Sequence, residues 1–152
     1  MKRNEFVFAF MSILVMGSLF PEQIDVGNMD KETGYRFYGG FLNWTLGRCI
    51  SGIGDTDGDG IDDFAIGAPQ ASSENGALNA GQVFVIYGQK NPKNFWNEDF
   101  NLSNLHKNSS VGRVIDGTLS EAFLGRSISR AGDVNKDGFD DFIIGSTLWN
   151  GR

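Results

Sequence analysis

A chain of 152 residues with 40% hydrophobic content can bury one core, while its 21 glycines point to many turns and little helix. A net charge of −6, an isoelectric point near 4.6 and the lack of any run of Lys and Arg exclude the electrostatic footprint of a nucleic-acid partner. The lone Cys49 excludes an internal disulfide and is expected to pack as a small apolar residue.

At the N-terminus, Lys2 and Arg3 precede an apolar run from Phe6 to Phe20, with Gly17 and Ser18 where a peptidase could cut. This suits a signal peptide over residues 1–17 and is too short to span a bilayer. The alternative is a buried strand, "SILVMGS". No other stretch has the length to cross a membrane.

"RCISGIG" alternates before an acidic loop, "DFAIGA" is a short apolar run after it, and "GQVFVIYG" is rich in valine and aromatic residues. Residues Gln89 to Ser110 read as a connection holding one short element, "DFNLSNL", before a fourth strand at "VGRVIDG". Nothing has sustained helical periodicity.

The chain then repeats itself. "LGRCISGIGDTDGDGIDDFAIGA" from Leu46 recurs as "LGRSISRAGDVNKDGFDDFIIGS" from Leu124, without a gap and with fourteen of twenty-three positions identical. That marks an internal duplication with an offset of 78 residues. In the same register "GYRFYGG" at Gly34 matches "GRVIDGT" at Gly112.

The acidic loop has the chemistry of a hard-cation site. Asp55, Asp57 and Asp59 occupy its first, third and fifth positions, Gly60 supplies a turn, Ile61 offers a backbone carbonyl at the seventh and Asp63 closes at the ninth. Calcium takes six to eight oxygens at about 2.3 to 2.6 Å, whereas magnesium resists dehydration and suits the loop less well. An EF-hand needs Glu at the twelfth position and flanking helices; here Ile66 stands there, between strands.

The second copy places Asp133, Asn135, Asp137, the Phe139 carbonyl and Asp141 at the same positions, with Gly138 at the turn. Oxygen donors are kept where ligands are needed, while Thr56 and Gly58 become Val134 and Lys136. Asp62 and Asp140, beside the last ligand, are expected to support it or to face solvent. Two carboxylates about 4 Å apart repel by about 1 kcal/mol even in water, so five in one loop call for a cation. A solvated acidic turn is the plainer alternative, and the matched copies weigh against it.

"LGRCISGIGDTDGDGIDDFAIGAP", ending in Gly67-Ala68-Pro69, resembles the FG-GAP repeat of integrin alpha subunits, and "AGQVFVIYG" resembles the strand that follows in such repeats. The second copy departs from the pattern at Gly145-Ser146-Thr147. The resemblance implies an all-β fold, part of a seven-bladed β-propeller in which calcium loops join the first two strands of some blades. It implies that residues 18–45 hold the outer strand of a preceding or ring-closing blade, with "QIDVGNM" as the closing strand. Residues 46–117 would form one complete four-stranded FG-GAP blade, and residues 118–152 the truncated start of a second. Repeat units bury their faces on neighbours, so the remaining blades are expected to be required.

The function expected is that of a calcium-binding extracellular or cell-surface segment in adhesion or ligand recognition, with a protein ligand or partner subunit. The alternative is a non-catalytic FG-GAP module of a larger secreted enzyme, such as a lipid-anchor-cleaving phospholipase D. The chain itself is not expected to be an enzyme. His106, its only histidine, lies in a polar connection with no nucleophile motif around it. Sequons at Asn43, Asn101 and Asn108 would carry glycans on a secreted eukaryotic protein. Trp44, Trp96 and Trp149 are expected in core packing.

Overall fold

Strands buried on both faces need apolar residues at odd and even positions alike, and "DFAIGA" and "QVFVI" supply them. In a computed structural model that describes residues 13–16, 34–39, 44–73, 75–90, 99–105 and 110–147, these segments are the middle of a four-stranded antiparallel sheet. Its strands are β3 (Cys49–Gly54), β4 (Asp63–Ala68), β5 (Gln82–Ile86) and β7 (Gly112–Asp116), in that order. Register is set by pairs such as Ile50 with Ile66, Ile66 with Phe84, and Phe84 with Val114.

Two smaller sheets accompany it. On one side lie β1 (Ile13–Met16), β2 (Gly34–Tyr38) and β6 (Asp99–Asn101), with β1 antiparallel and β6 parallel to β2. On the other is a hairpin of β8 (Ser127–Gly132) and β9 (Asp141–Gly145). Ile66, Phe84 and Ile86 face the first neighbour and pack with Tyr35, Phe37, Leu102 and Leu105. Ala65, Val83 and Val85, from the alternate positions, pack with Ile128, Phe142 and Ile144 of the hairpin. A central sheet with a neighbour on each face is the packing of a propeller blade.

The duplication is visible in the pairing. Ser127 pairs with Gly145 as Cys49 does with Gly67, and both hairpins shift register at matching places, between Gly52 and Gly54 and between Arg130 and Gly132. Such an irregularity bends the strand into the acidic loop. β2 lies one repeat before β7, and Met16 pairs with Gly34 as Ile86 pairs with Gly112. "ILVM" thus occupies the third-strand place of the preceding sheet, where the sequence leaves a strand and a cleaved segment both open.

One close approach fixes the spacing between the central sheet and the hairpin. A Cβ on Gly67 would lie 2.0 Å from the backbone oxygen of Gly125, a distance only glycine tolerates. Gly47 N–H donates to the Gly67 carbonyl at 2.9 Å, and one repeat later Gly125 N–H donates to Gly145 at 3.1 Å. The Leu-Gly that opens one repeat therefore locks onto the Gly that ends its second strand, and the next Leu-Gly packs against the outside of that lock.

The closing strand assigned to "QIDVGNM", together with Asn43, Trp96, His106, Asn108 and Trp149, lies outside the described residues. Trp44 stacks on Phe84 with ring centroids 6.1 Å apart, a core role as expected. Asn101 ends β6 and caps the short 3-10 turn Leu102–Asn104, its side-chain oxygen accepting from Ser103 N–H. Among the described residues, no helix is long and apolar enough to cross a membrane.

Candidate metal centre

Both acidic loops join the strands of a hairpin at the same end of the fold, β3 to β4 and β8 to β9. A short loop of aspartates can order itself only if backbone N–H groups turn toward the carboxylates. In the first loop, the Asp55 carboxylate accepts from the N–H groups of Gly58, Asp59 and Gly60 at 2.7, 3.1 and 2.8 Å. Asp57 accepts from Asp59 N–H, and Asp59 accepts from Ile61 N–H. Asp63 closes the loop by accepting from the Thr56 N–H and hydroxyl.

The second loop reproduces this scaffold. Asp133 accepts from the N–H groups of Asp137 and Gly138, Asn135 from Asp137, Asp137 from Phe139, and Asp141 from Val134. Each of these five bonds has its counterpart in the first loop 78 residues earlier. Asx-type hydrogen bonding explains why aspartate and asparagine alternate here, and the convergence it produces is what a cation requires.

Convergence is most complete in the first loop. One carboxylate oxygen from each of Asp55, Asp57 and Asp63 lies within 4.8 Å of the others, an all-oxygen cluster suited to a divalent cation. Asp59 stands outside this trio, its carboxylate engaged with Ile61 N–H. Of the five positions assigned in each loop, the described structure brings three carboxylates of the first together. In the second loop, Asn135 Nδ2 donates to an oxygen of the Asp137 carboxylate at 2.9 Å, so these two assigned residues are bonded to one another.

The charge balance in the first loop is uneven. The Gly60 N–H and its neighbours hold the Asp55 carboxyl below its usual range. Desolvation first, and then the nearby charge of Asp63, push Asp57 upward. The two carboxylates are therefore biased in opposite directions, Asp55 toward ionisation and Asp57 away from it.

Asp140 of the second loop reaches the first. Its carboxylate accepts from Asp55 N–H at 3.0 Å and pairs with Arg130 at 2.7 Å, while its own N–H donates to the Asp55 carbonyl at 2.8 Å. A residue expected to support its own loop or to face solvent also grips the other loop. Arg130 in place of Gly52 at the repeat-equivalent position is the signal that could have revealed it.

The FG-GAP repeat family model matches residues 50–86, which run from β3 through the acidic loop to the end of β5. This chain is an FG-GAP repeat protein. It is 27% identical over 135 residues, 87% of its length, to integrin alpha-PS2 of Drosophila melanogaster. To integrin alpha-IIb of Homo sapiens it is 30% identical over 115 residues, and to integrin alpha ina-1 of Caenorhabditis elegans 30% over 107, covering 75% and 69% of the chain. It spans 8%, 9% and 8% of these three relatives, respectively, and resembles their N-terminal propeller region.

The departure of this FG-GAP protein from the motif at Gly145-Ser146-Thr147 has a local compensation. In the first repeat Pro69 has no N–H, and Gln70 N–H reaches the Trp44 carbonyl at 3.3 Å. In the second, Thr147 N–H and the Ser146 hydroxyl both donate to the equivalent carbonyl, that of Ala122, at 2.9 and 2.6 Å. The turn keeps its anchor by different donors.

Proposed function

We propose that this chain is a calcium-tied segment of an extracellular β-propeller that serves adhesion or ligand recognition, without catalytic activity of its own. The observation that carries the reading is the pair of matched loops, with Asp55, Asp57 and Asp63 converging in the first. Asp59 and the Ile61 carbonyl would complete that site, and Asp133, Asn135, Asp137, the Phe139 carbonyl and Asp141 would form the second. Bound calcium would supply the positive charge that lets clustered carboxylates ionise together, and so would tie each hairpin.

Further blades are part of this reading. Ile143 on β9 is 64% exposed, while Ala65, its repeat equivalent, is fully buried beneath the next hairpin. A cleft of about 590 Å³ also lies between Val85 and Tyr87, in and just beyond β5, Ile115 on β7, and Phe139 and Phe142 on the hairpin. The third and fourth strands of a completed second blade would fill it. A protein ligand or partner subunit is inferred from the resemblance to integrin alpha chains, as is a cell-surface or secreted location.

Calcium titration by calorimetry, with thermal melts in calcium and in chelator, tests the reading. Two sites and a raised melting point are expected, each site adding about 2.7 kcal/mol at a hundred times its dissociation constant. Asp59→Ala and Asp137→Ala should each remove one site. A folded chain that takes up no calcium would overturn the proposal.

A further inference from the structure

We infer that the two acidic loops are coupled, so that calcium in the second loop tightens the first by ordering Asp140 against the Asp55 backbone. This rests on the calcium reading above. Asp140 stands between Phe139, whose carbonyl is assigned to the second ion, and Asp141, whose carboxylate is also assigned to it. An ion that takes both neighbours fixes the backbone on either side of Asp140. That residue in turn holds Asp55 by its N–H and by its carbonyl, at 3.0 and 2.8 Å. Asp55 is the first ligand of the other loop, and its carboxylate is the hub for three backbone N–H groups.

The contact is close along its whole length. A Cβ on Gly54 would lie 2.1 Å from the Asp140 carboxylate, and one on Gly58 would lie 2.5 Å from the Phe139 ring. Residues 139 and 140 therefore rest directly on the first loop, at positions that glycine alone leaves open. Arg130 steadies the arrangement by pairing with the same carboxylate oxygen that Asp55 N–H uses. None of this follows from the duplication itself, because the first repeat has Gly52 where Arg130 stands and the second has Lys136 where Gly58 stands. Preorganisation of one site by occupation of another is a coupling free energy, and it acts in both directions.

The test is calcium binding by the full chain, read by calorimetry in the wild type, Asp137→Ala, Asp140→Ala and the double variant. Wild-type binding should be cooperative, with a Hill coefficient above one. Disabling the second loop with Asp137→Ala should weaken the first about five-fold or more. In the Asp140→Ala background the same substitution should leave the first loop's affinity unchanged. A second readout keeps Asp140 in place: with the first loop disabled by Asp57→Ala, calcium should slow hydrogen exchange at the Asp55 amide.

A Hill coefficient of one, with first-loop affinity untouched by Asp137→Ala, would overturn the coupling and leave the calcium reading standing. An Asp55 amide indifferent to calcium would do the same. A folded chain that binds no calcium at all would overturn both.

Discussion

The two repeats carry the same loop and the same hairpin, yet they are held differently. Asp63 closes the first loop from a buried position, 2% exposed, and its second oxygen accepts from Gly88 N–H at 2.8 Å. Asp141 closes the second loop half-exposed and accepts from Val134 N–H. Among the described residues, no third strand pairs with β9 and no N–H takes the place of Gly88 at Asp141. The acidic loop thus orders itself from local hydrogen bonds in both repeats, while in the first the closing carboxylate is also buried against the chain just beyond β5.

The strongest break in this comparison is at the Gly67 contact. Gly67→Val places a branched side chain against the Gly125 backbone, which cannot rotate away, and should cost about 3 kcal/mol or separate the hairpin from the sheet. The repeat-equivalent Gly145→Ala meets the Ser127 hydroxyl instead, at the end of a movable side chain, and should cost much less. Urea melts of both variants check the asymmetry; equal losses would mean that the close approach does not hold the two repeats together.

Next in size is the closing carboxylate. Asp63→Ala leaves the buried Gly88 N–H without its acceptor and strips Thr56 of its partner, at about 2 kcal/mol in chelator. Asp141→Ala loses one bond at the surface and should cost under about 1 kcal/mol. Melts in chelator separate this structural effect from any loss of calcium.

Much of this was legible in the sequence because each signal was local. Alternation marks β3, a short apolar run marks β4, valine and aromatic residues mark β5, "VGRVIDG" marks β7, and the unbroken 78-residue offset pairs the two loops. What could not be read was where one repeat touches the next. The Asp140 to Asp55 clamp joins residues 85 apart, and their contact depends on the stacking of sheets rather than on spacing within either loop. At Ile13–Met16 a strand and a signal segment both stay open in the sequence, since an apolar run has the same composition in either.

A smaller effect comes from exchanging the residues that differ at one loop position. Lys136 has a left-handed backbone, φ 62°, where the first loop has Gly58 at φ 82°. Lys136→Gly should therefore stabilise the chain slightly, by about 0.5 to 1 kcal/mol if relief of strain outweighs the added freedom of the unfolded chain. The reverse change, Gly58→Lys, drives a side chain into the Phe139 ring and should destabilise. Thermal melts that move in the same direction for both would contradict the contact.

The smallest effect is a pH dependence within the first loop, and it makes that loop more like the second. Asp57 is raised above its ordinary 3.8 by desolvation and by Asp63, so the folded chain holds this proton better than the unfolded chain does. Its contribution to stability is present below pH 3.8 and is lost as pH rises through the folded value. Asp57→Asn places at this site the residue found at position 135, removes the charge, and should raise the melting point in chelator at neutral pH with little change below pH 3.8. Asp55 is lowered, chiefly by Gly60 N–H, so its contribution is present above pH 3.8 and is lost as pH falls through its folded value. Asp55→Asn should therefore destabilise at neutral pH and converge on the wild type in acid. In calcium the first substitution should reverse its sign, since the charge that burdens the ion-free loop is the one the cation needs; a stabilised Asp57→Asn in both conditions would remove Asp57 from the ligand set.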